Sequence, residues 1–236
     1  MTAVLLIAEN FLREQRWLTL VLILYAVGGA AAFGIAEKQV SGEDVLFFLH
    51  QQALYSILFS YFLAVSAINN ERKSRRMLAV LSKAITRGQY LAGLLVGILA
   101  VFGIYCVAIG VSGMWLVLRA QSSLAQLWVV LGITAVASVL VSAVALFFTT
   151  FLTPLFATVA TAITVGIPVA LEQVLGRGWG NLLPVYSLAT QVSESRLRYQ
   201  ATMDWRPVAI AIIEIIILWI VASWIFAARD VTVAVE

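Results

Sequence analysis

The chain alternates between long uncharged stretches and short polar connections. Crossing a hydrocarbon core of about 30 Å takes roughly 20 helical residues. Four uncharged or nearly uncharged stretches meet that length, and they cover residues 18–36, 45–68, 91–118 and 207–228. Only the last of them contains a charge, Glu214. The hydrophobic pattern therefore predicts a transmembrane helix in each stretch.

A fifth uncharged stretch, residues 127–171, is 45 residues long. As one helix it would extend about 68 Å, more than twice the thickness of the hydrocarbon core. Threonines lead into Pro154 near its middle, and proline starts a helix more readily than it continues one. The pattern predicts two spans, 127–149 and 154–171. This gives six transmembrane helices in an all-α membrane protein with a single domain over residues 1–236.

Composition excludes a soluble globular protein. The chain is 62% hydrophobic and 11% charged, whereas soluble domains are about 45–50% apolar and about 25% charged. The net charge is +3, but the basic residues flank apolar stretches. Membrane lipids are therefore the expected partners of these charges, and nucleic acid is not.

The densest block of charge lies between the second and third predicted spans. Residues 69–90 contain six basic residues and one acid. With six spans, this loop lies on the same side of the membrane as both termini, and short loops rich in Lys and Arg stay inside. We expect both termini to be cytoplasmic and the protein to lie in the plasma (inner) membrane.

Two polar segments have the periodicity of amphipathic helices. In residues 1–17, apolar and charged positions alternate at helical spacing, which predicts an interfacial helix before the first span. In the 69–90 loop, Met77, Leu78 and Leu81 fall on one face of a helix, and basic residues cover the rest. That apolar face can rest on lipid or fit a groove on another protein. Charge alone leaves a purely topological role for the loop equally open.

The loop also resembles a known family. Its run "ERKSRRMLAVLSKAITRGQYLAG" is similar to the loop between spans two and three in permease subunits of ATP-binding cassette transporters of the second, exporter-type family. Ala84 and Leu94 depart from that pattern, which usually has proline and lysine there. The C-terminal "WIFAARDV" is similar to the family's closing signature. The matching loop positions are Glu71, Arg72, Leu78, Leu81, Arg87, Tyr90 and Gly93.

The resemblance implies a fold and a set of partners. It makes 69–90 a cytoplasmic coupling loop that receives motion from a separate ATPase, and 172–206 an outer segment with re-entrant or interfacial helices before the sixth span. It also implies a second permease subunit, identical or related. ATP and Mg would be bound by the ATPase. The implied coupling residues are Glu71, Arg72, Met77, Leu78, Leu81 and Arg87.

The sequence gives no sign of catalysis in this chain. It contains no G-x-x-x-x-G-K-[ST] phosphate loop, no H-E-x-x-H motif and no nucleophile–base pair. We therefore expect no enzyme, cofactor or metal site here, and any ATPase would be a second polypeptide. The competing class is a membrane channel, carrier or scaffold that is not driven by ATP. A carrier usually has several charges within its spans.

Four residues are candidates for a role inside the membrane. Glu214 is an acid within a span, so it must face protein or water or be protonated. It can contact a gate or a substrate, but a structural hydrogen bond to a neighbouring helix is the preferred interpretation. Tyr55, Phe59 and Phe62 form a stripe that can line a substrate path, although lipid-facing aromatics explain the spacing as well. A G-x-x-x-G at 93–97 permits close helix packing without indicating the partner.

Overall fold

The computed structural model describes residues 2–36, 40–73, 85–175 and 205–228. These residues form seven α-helices, and no strand occurs among them. The helices are α1 (Thr2–Glu14), α2 (Arg16–Ala36), α3 (Gly42–Lys73), α4 (Arg87–Arg119), α5 (Leu124–Thr149), α6 (Pro154–Leu175) and α7 (Arg206–Ala228).

Five of these helices are long and apolar enough to cross a membrane. They are α2, α3, α4, α5 and α7, and they correspond to five of the six predicted spans. The chain is therefore a multi-pass membrane protein with an all-helical fold, as predicted. The remaining predicted span, 154–171, falls within α6, whose described apolar part Pro154–Ile167 is shorter than a full crossing. The sixth span remains a prediction.

The break predicted within 127–171 is present. Helix α5 ends at Thr149 and α6 begins at Pro154. The hydroxyls of Thr149 and Thr150 donate to the carbonyls of Leu146 and Phe147, at 2.8 and 2.7 Å. The Thr150 backbone N–H also donates to both of these carbonyls at 3.2 Å, so side-chain and backbone bonds together close the last turn of α5.

Capping residues place the starts of α3 and α4 earlier than hydrophobicity alone predicts. Before α3, Ser41 and Asp44 exchange hydrogen bonds: the Ser41 backbone N–H donates to Asp44 Oδ2 at 2.9 Å, and the Asp44 N–H donates to Ser41 Oγ at 3.3 Å. Before α4, Thr86 and Gln89 form the same reciprocal arrangement. Such boxes satisfy N–H groups that a helix start leaves without partners. Both helices therefore begin with polar residues ahead of the apolar stretch.

Helices α4 and α5 form the centre of the bundle. Helix α4 packs against α1, α2, α3, α5 and α7, while α5 packs against α3, α4, α6 and α7. Leu94, Ile98 and Phe102 of α4 are fully buried. Helices α2 and α7 lie at the periphery and expose large apolar side chains, among them Leu24, Ile213 and Trp224. Exposed residues of this kind suit a surface solvated by lipid.

Contacts sort the helix termini into two ends of the bundle. At one end, the start of α4 touches the last turn of α7, and α1 lies against the first turns of α4. At the other end, Arg119 at the end of α4 reaches Gly34 near the end of α2. Both described chain ends therefore lie at the end of the bundle that contains the start of α4.

Candidate functional site

The predicted coupling loop is described only at its two ends. Glu71 and Arg72 belong to the last turn of α3, which continues beyond the predicted span limit at 68. Met77, Leu78 and Leu81 lie outside the described residues. Arg87 is described, and it is the first residue of α4. The candidate site therefore consists of the described residues around the start of α4.

The capping box at Thr86 fixes that point. Thr86 has an extended backbone (φ −71°, ψ 150°). Its hydroxyl oxygen accepts a hydrogen bond from the Gln89 backbone N–H at 3.3 Å, and the Thr86 N–H donates to Gln89 Oε1 at 3.2 Å. The chain thus enters α4 in a defined direction, with Arg87 immediately following.

Arg87 binds the end of the last helix. Its Nη1 donates to the carbonyl oxygens of Phe226 and Ala227, the latter at 3.1 Å. Its guanidinium carbon also lies 5.6 Å from the centre of the Phe226 ring. The last carbonyls of a helix lack helical donors and carry partial negative charge. The cation of Arg87 is therefore placed where it stabilises the C-terminus of α7.

Further contacts extend this attachment. Trp219 Nε1 donates to the Gly88 carbonyl at 3.2 Å, and the Tyr90 and Phe226 rings stack with centroids 6.3 Å apart. We call the group of Arg87, Gly88, Tyr90, Trp219 and Phe226 the α4–α7 junction. Because the contacts cover about two turns of α7, a displacement of the loop end would move both helices.

Helix α1 also packs against this part of α4. A Cβ at Gly93 would lie 2.6 Å from Ile7 Cβ, and one at Gly97 would lie 2.8 Å from Phe11. Neither separation is possible without movement, so both glycines are needed for the approach of the two helices. The partner of the G-x-x-x-G is thus α1 of the same chain. The helix predicted within 1–17 is present, and it buries Ile7 and Phe11 against α4.

Sequence reasoning missed a second arginine contact at the other end of α4. Arg119 Nη1 donates to the Gly34 carbonyl at 2.6 Å, and its guanidinium carbon lies 5.3 Å from the Trp115 ring centre. Gly34 lies in the last turn of α2. The signal in the sequence is an arginine at the end of an apolar stretch, a position that by itself indicates only a charge flanking a span.

Sequence reasoning also missed a polar seam between α3 and α5. Ser56 Oγ and Ser138 Oγ are 3.0 Å apart, and Ser142 Oγ donates to the Ser60 carbonyl at 3.4 Å. All four serines are fully buried. Small hydroxylated residues let helices approach closely in membranes and hydrogen-bond across the contact. The available signal was a serine pair at i, i+4 within each of two apolar spans.

The predicted aromatic stripe on α3 is divided between two environments. Tyr55 and Phe62 are exposed, whereas Phe59 is partly buried and packs against the core. Tyr55 also contacts Tyr25 of α2, with ring centroids 5.5 Å apart and nearly perpendicular. The stripe is therefore not one continuous surface, and Tyr55 belongs to a separate cluster with α2.

Glu214 lies at the edge of the packed face of α7. It is partly buried, between fully buried Ala211 and exposed Ile217. None of the described residues forms a hydrogen bond or ion pair with it, so the preferred structural bond is not found in this part of the chain. The described residues also contain no group of three or more His, Cys, Asp or Glu side chains that could hold a metal ion.

Comparison with known proteins does not assign the chain to a family. No family model matches it, and a search of curated proteins finds no significant match. The features that indicate a function are therefore the loop and C-terminal residues quoted above and the contacts around α4.

Proposed function

We propose that this chain is the permease subunit of an ATP-driven exporter that resembles ATP-binding cassette transporters of the second, exporter-type family. It forms the substrate pathway with a second permease subunit, identical or related. A separate ATPase binds ATP and Mg and docks on the 69–90 loop. The chain itself has no catalytic role.

The proposal includes a topology finer than the five candidate spans. Residues 154–171 form a sixth span, and both termini and the 69–90 loop are cytoplasmic. Helix α1 lies at the cytoplasmic interface of the plasma (inner) membrane. The outer segment 172–206 supplies re-entrant or interfacial helices before the last span.

The α4–α7 junction is the observation that carries this proposal. A loop that serves only as a topological anchor needs positive charge near the membrane and nothing more. Here the residue that ends the loop is bonded to the end of α7, and the next turns of α4 hold α1. If an ATPase moved the loop, the movement would therefore displace three helices, α1, α4 and α7. Such an attachment suits a coupling element.

The test separates docking from anchoring. In the variant Leu78→Asp with Leu81→Asp, two carboxylates would enter the apolar contact with the ATPase. Burying an unpaired charge is strongly unfavourable, so we expect the ATPase to be lost while membrane insertion is kept. The measurement is co-purification of the tagged chain with an ATPase encoded in a neighbouring reading frame, together with ATPase activity in liposomes.

The matched control makes the same net charge change on the opposite side of the proposed loop helix. In a helix, Ala79 and Lys83 would lie opposite the face formed by Met77, Leu78 and Leu81, so Ala79→Asp with Lys83→Gln should retain the ATPase. Normal co-purification and coupled hydrolysis in the Leu78/Leu81 variant would mean that the loop is only an anchor. Activity of the purified chain with no ATPase would favour a channel, carrier or scaffold instead.

A further inference from the structure

A cleft lies between α6 and α7. Both helices pack against α5, whose other two neighbours are α3 and α4. Helix α3 touches both α4 and α6, and α4 touches α7, whereas α6 and α7 share at most isolated contacts within the described residues. The helices around α5 therefore contact one another everywhere except between α6 and α7. We call this opening the α6–α7 cleft.

Glu214 lies on the side of α7 that borders the cleft. The opposite side of α7 faces α4, since Trp219 Nε1 donates to the Gly88 carbonyl and a Cβ at Gly88 would lie 3.4 Å from Ser223 Oγ. Glu214 precedes Ser223 by nine residues, which is two and a half helical turns, so the two are on opposite sides of the helix. Because Glu214 is partly buried, its side chain is at the edge of the packed face, beside the opening.

The second half of α6 stands away from the bundle and forms the other wall. Ala157 and Thr161 are fully buried, but Thr164 is exposed although it falls on the same face, nearly two turns after Ala157. The Thr164 hydroxyl donates to the Ala160 carbonyl at 2.8 Å. Pro168 has no N–H, so the Thr164 carbonyl oxygen lacks the donor that a regular helix supplies. The hydroxyl and carbonyl oxygens of Thr164 can therefore only accept hydrogen bonds here.

The two walls carry their polar groups at a similar depth. Glu214 is about 12 Å along α7 from Arg206, and Thr164 is about 15 Å along α6 from Pro154. The two helices start at opposite ends of the bundle, so with α6 crossing as proposed, both residues lie near the middle of a core of about 30 Å. Within the described residues, no cationic side chain forms an ion pair with Glu214.

We propose that the α6–α7 cleft binds an apolar molecule that carries a protonated amine. A carboxylate in hydrocarbon is costly unless an opposite charge and hydrogen-bond donors compensate it. An ammonium group supplies both, and a further N–H can reach the acceptor oxygens of Thr164. Exposed Ile210 and Ile217 lie one turn before and after Glu214, where they can contact an apolar body. Identifying this ligand class with the exported substrate rests on the proposed function.

The test measures binding of tritiated 1-aminoadamantane to the full chain in lipid nanodiscs, with no ATPase present. We expect saturable binding that the unlabelled amine displaces. 1-Methyladamantane has the same number of heavy atoms and no amine, so it should displace the probe much less at equal membrane concentration. Glu214→Gln keeps the size of the side chain and removes its charge. Loss of a hydrogen bond to a charged group should raise the Kd about tenfold or more.

Two further variants separate the cleft from general effects of charge. Glu43 is an exposed acid in the first turn of α3, so Glu43→Gln makes the same change away from the cleft and should leave the Kd unchanged. Pro168→Ala adds an N–H that would bond to the Thr164 carbonyl. Loss of this acceptor should raise the Kd about three- to tenfold.

Four results would overturn the proposal. They are the absence of saturable binding, a Kd for Glu214→Gln equal to that of the wild type, equal displacement by the amine and by 1-methyladamantane, and a Kd that Pro168→Ala does not raise. Failure here would leave the proposed docking loop untouched, and failure of docking would leave the binding of the amine intact.

Discussion

At the scale of single residues, α4 has an arginine at each end that binds the last turn of another helix. Arg87 bonds to carbonyls of α7, and Arg119 bonds to a carbonyl of α2. In each case a cation meets backbone oxygens that lack helical donors and carry partial negative charge. These contacts link α4 to helices that precede and follow it in the chain.

We predict that Arg87→Ala destabilises the protein by about 1.5–3 kcal/mol, the usual range for hydrogen bonds to a charged group. The substitution removes two bonds to α7 and the contact with the Phe226 ring. The check is the free energy of unfolding in mixed detergent micelles, followed by far-ultraviolet circular dichroism.

Arg13→Ala is the control for loss of a positive charge at the same end of the bundle. Arg13 pairs with Glu9 at 2.6 Å, but the two side chains are 75% and 57% exposed. Exposed pairs of this kind contribute less than about 1 kcal/mol. Equal losses for Arg13→Ala and Arg87→Ala would show that the α4–α7 junction adds no stability beyond surface charge.

At the scale of helices, close packing of α1 on α4 depends on two glycines. Gly93 and Gly97 are one turn apart, and each faces a large side chain of α1. Helices approach closely in membranes where small residues leave space for the neighbouring side chains. This contact places the N-terminal helix directly beside the α4–α7 junction.

Gly93→Leu should therefore displace α1. The new side chain would occupy space held by Ile7 and the Val4 carbonyl, and enlarging a packed site typically costs about 1–3 kcal/mol. A cysteine at Ala8, which is 7% exposed, reports the change. In a Cys106→Ser background, Ala8→Cys should react with maleimide faster when Gly93→Leu is present.

The control for this substitution lies ten residues further along the same helix. A Cβ at Gly103 meets nothing within 4 Å, so Gly103→Leu should leave the reactivity at Ala8→Cys unchanged. If the two leucine variants react alike, α1 is not held by the glycine contact.

The sequence predicts the helices better than it predicts their partners. Local signals in the sequence mark helix boundaries in the structure. They are the length of the uncharged stretches, Pro154, and the capping pairs Ser41–Asp44 and Thr86–Gln89. Which helix lies against Gly93 and Gly97 is a non-local property, since any large apolar side chain could fill that space. The same reason explains why the sequence does not predict the contact between Arg87 and Phe226, although Arg87 is a candidate residue and Phe226 lies in the quoted C-terminal stretch.

The sequence also left the chemistry of the membrane interior undecided. Tyr55 was grouped with Phe59 and Phe62 because the three share a helical spacing. The structure instead packs Tyr55 edge to face against Tyr25 of α2. Spacing along one helix cannot reveal a contact with another helix.

At the scale of the whole molecule, the contacts define two ends that a membrane would separate. The start of α4, the end of α7 and α1 share one end, and the ends of α2 and α4 share the other. Five crossings would put the two described chain ends at opposite ends of the bundle, so this arrangement supports the proposal that α6 makes a sixth crossing. With α6 as a sixth crossing, the chain enters α7 from the side opposite to the 69–90 loop.

This topology predicts that residues 74 and 195 lie on opposite sides of the membrane. Single cysteines are placed at Ser74, in the basic loop, and at Ser195, in the outer segment, each in a Cys106→Ser background. An impermeant maleimide applied to intact cells should label Ser195→Cys, and Ser74→Cys should react only after the membrane is opened. Six spans require an odd number of crossings between the two positions, so labelling of both from the same side would exclude six spans. Labelling of Ser74→Cys in intact cells would also exclude the proposed cytoplasmic docking loop.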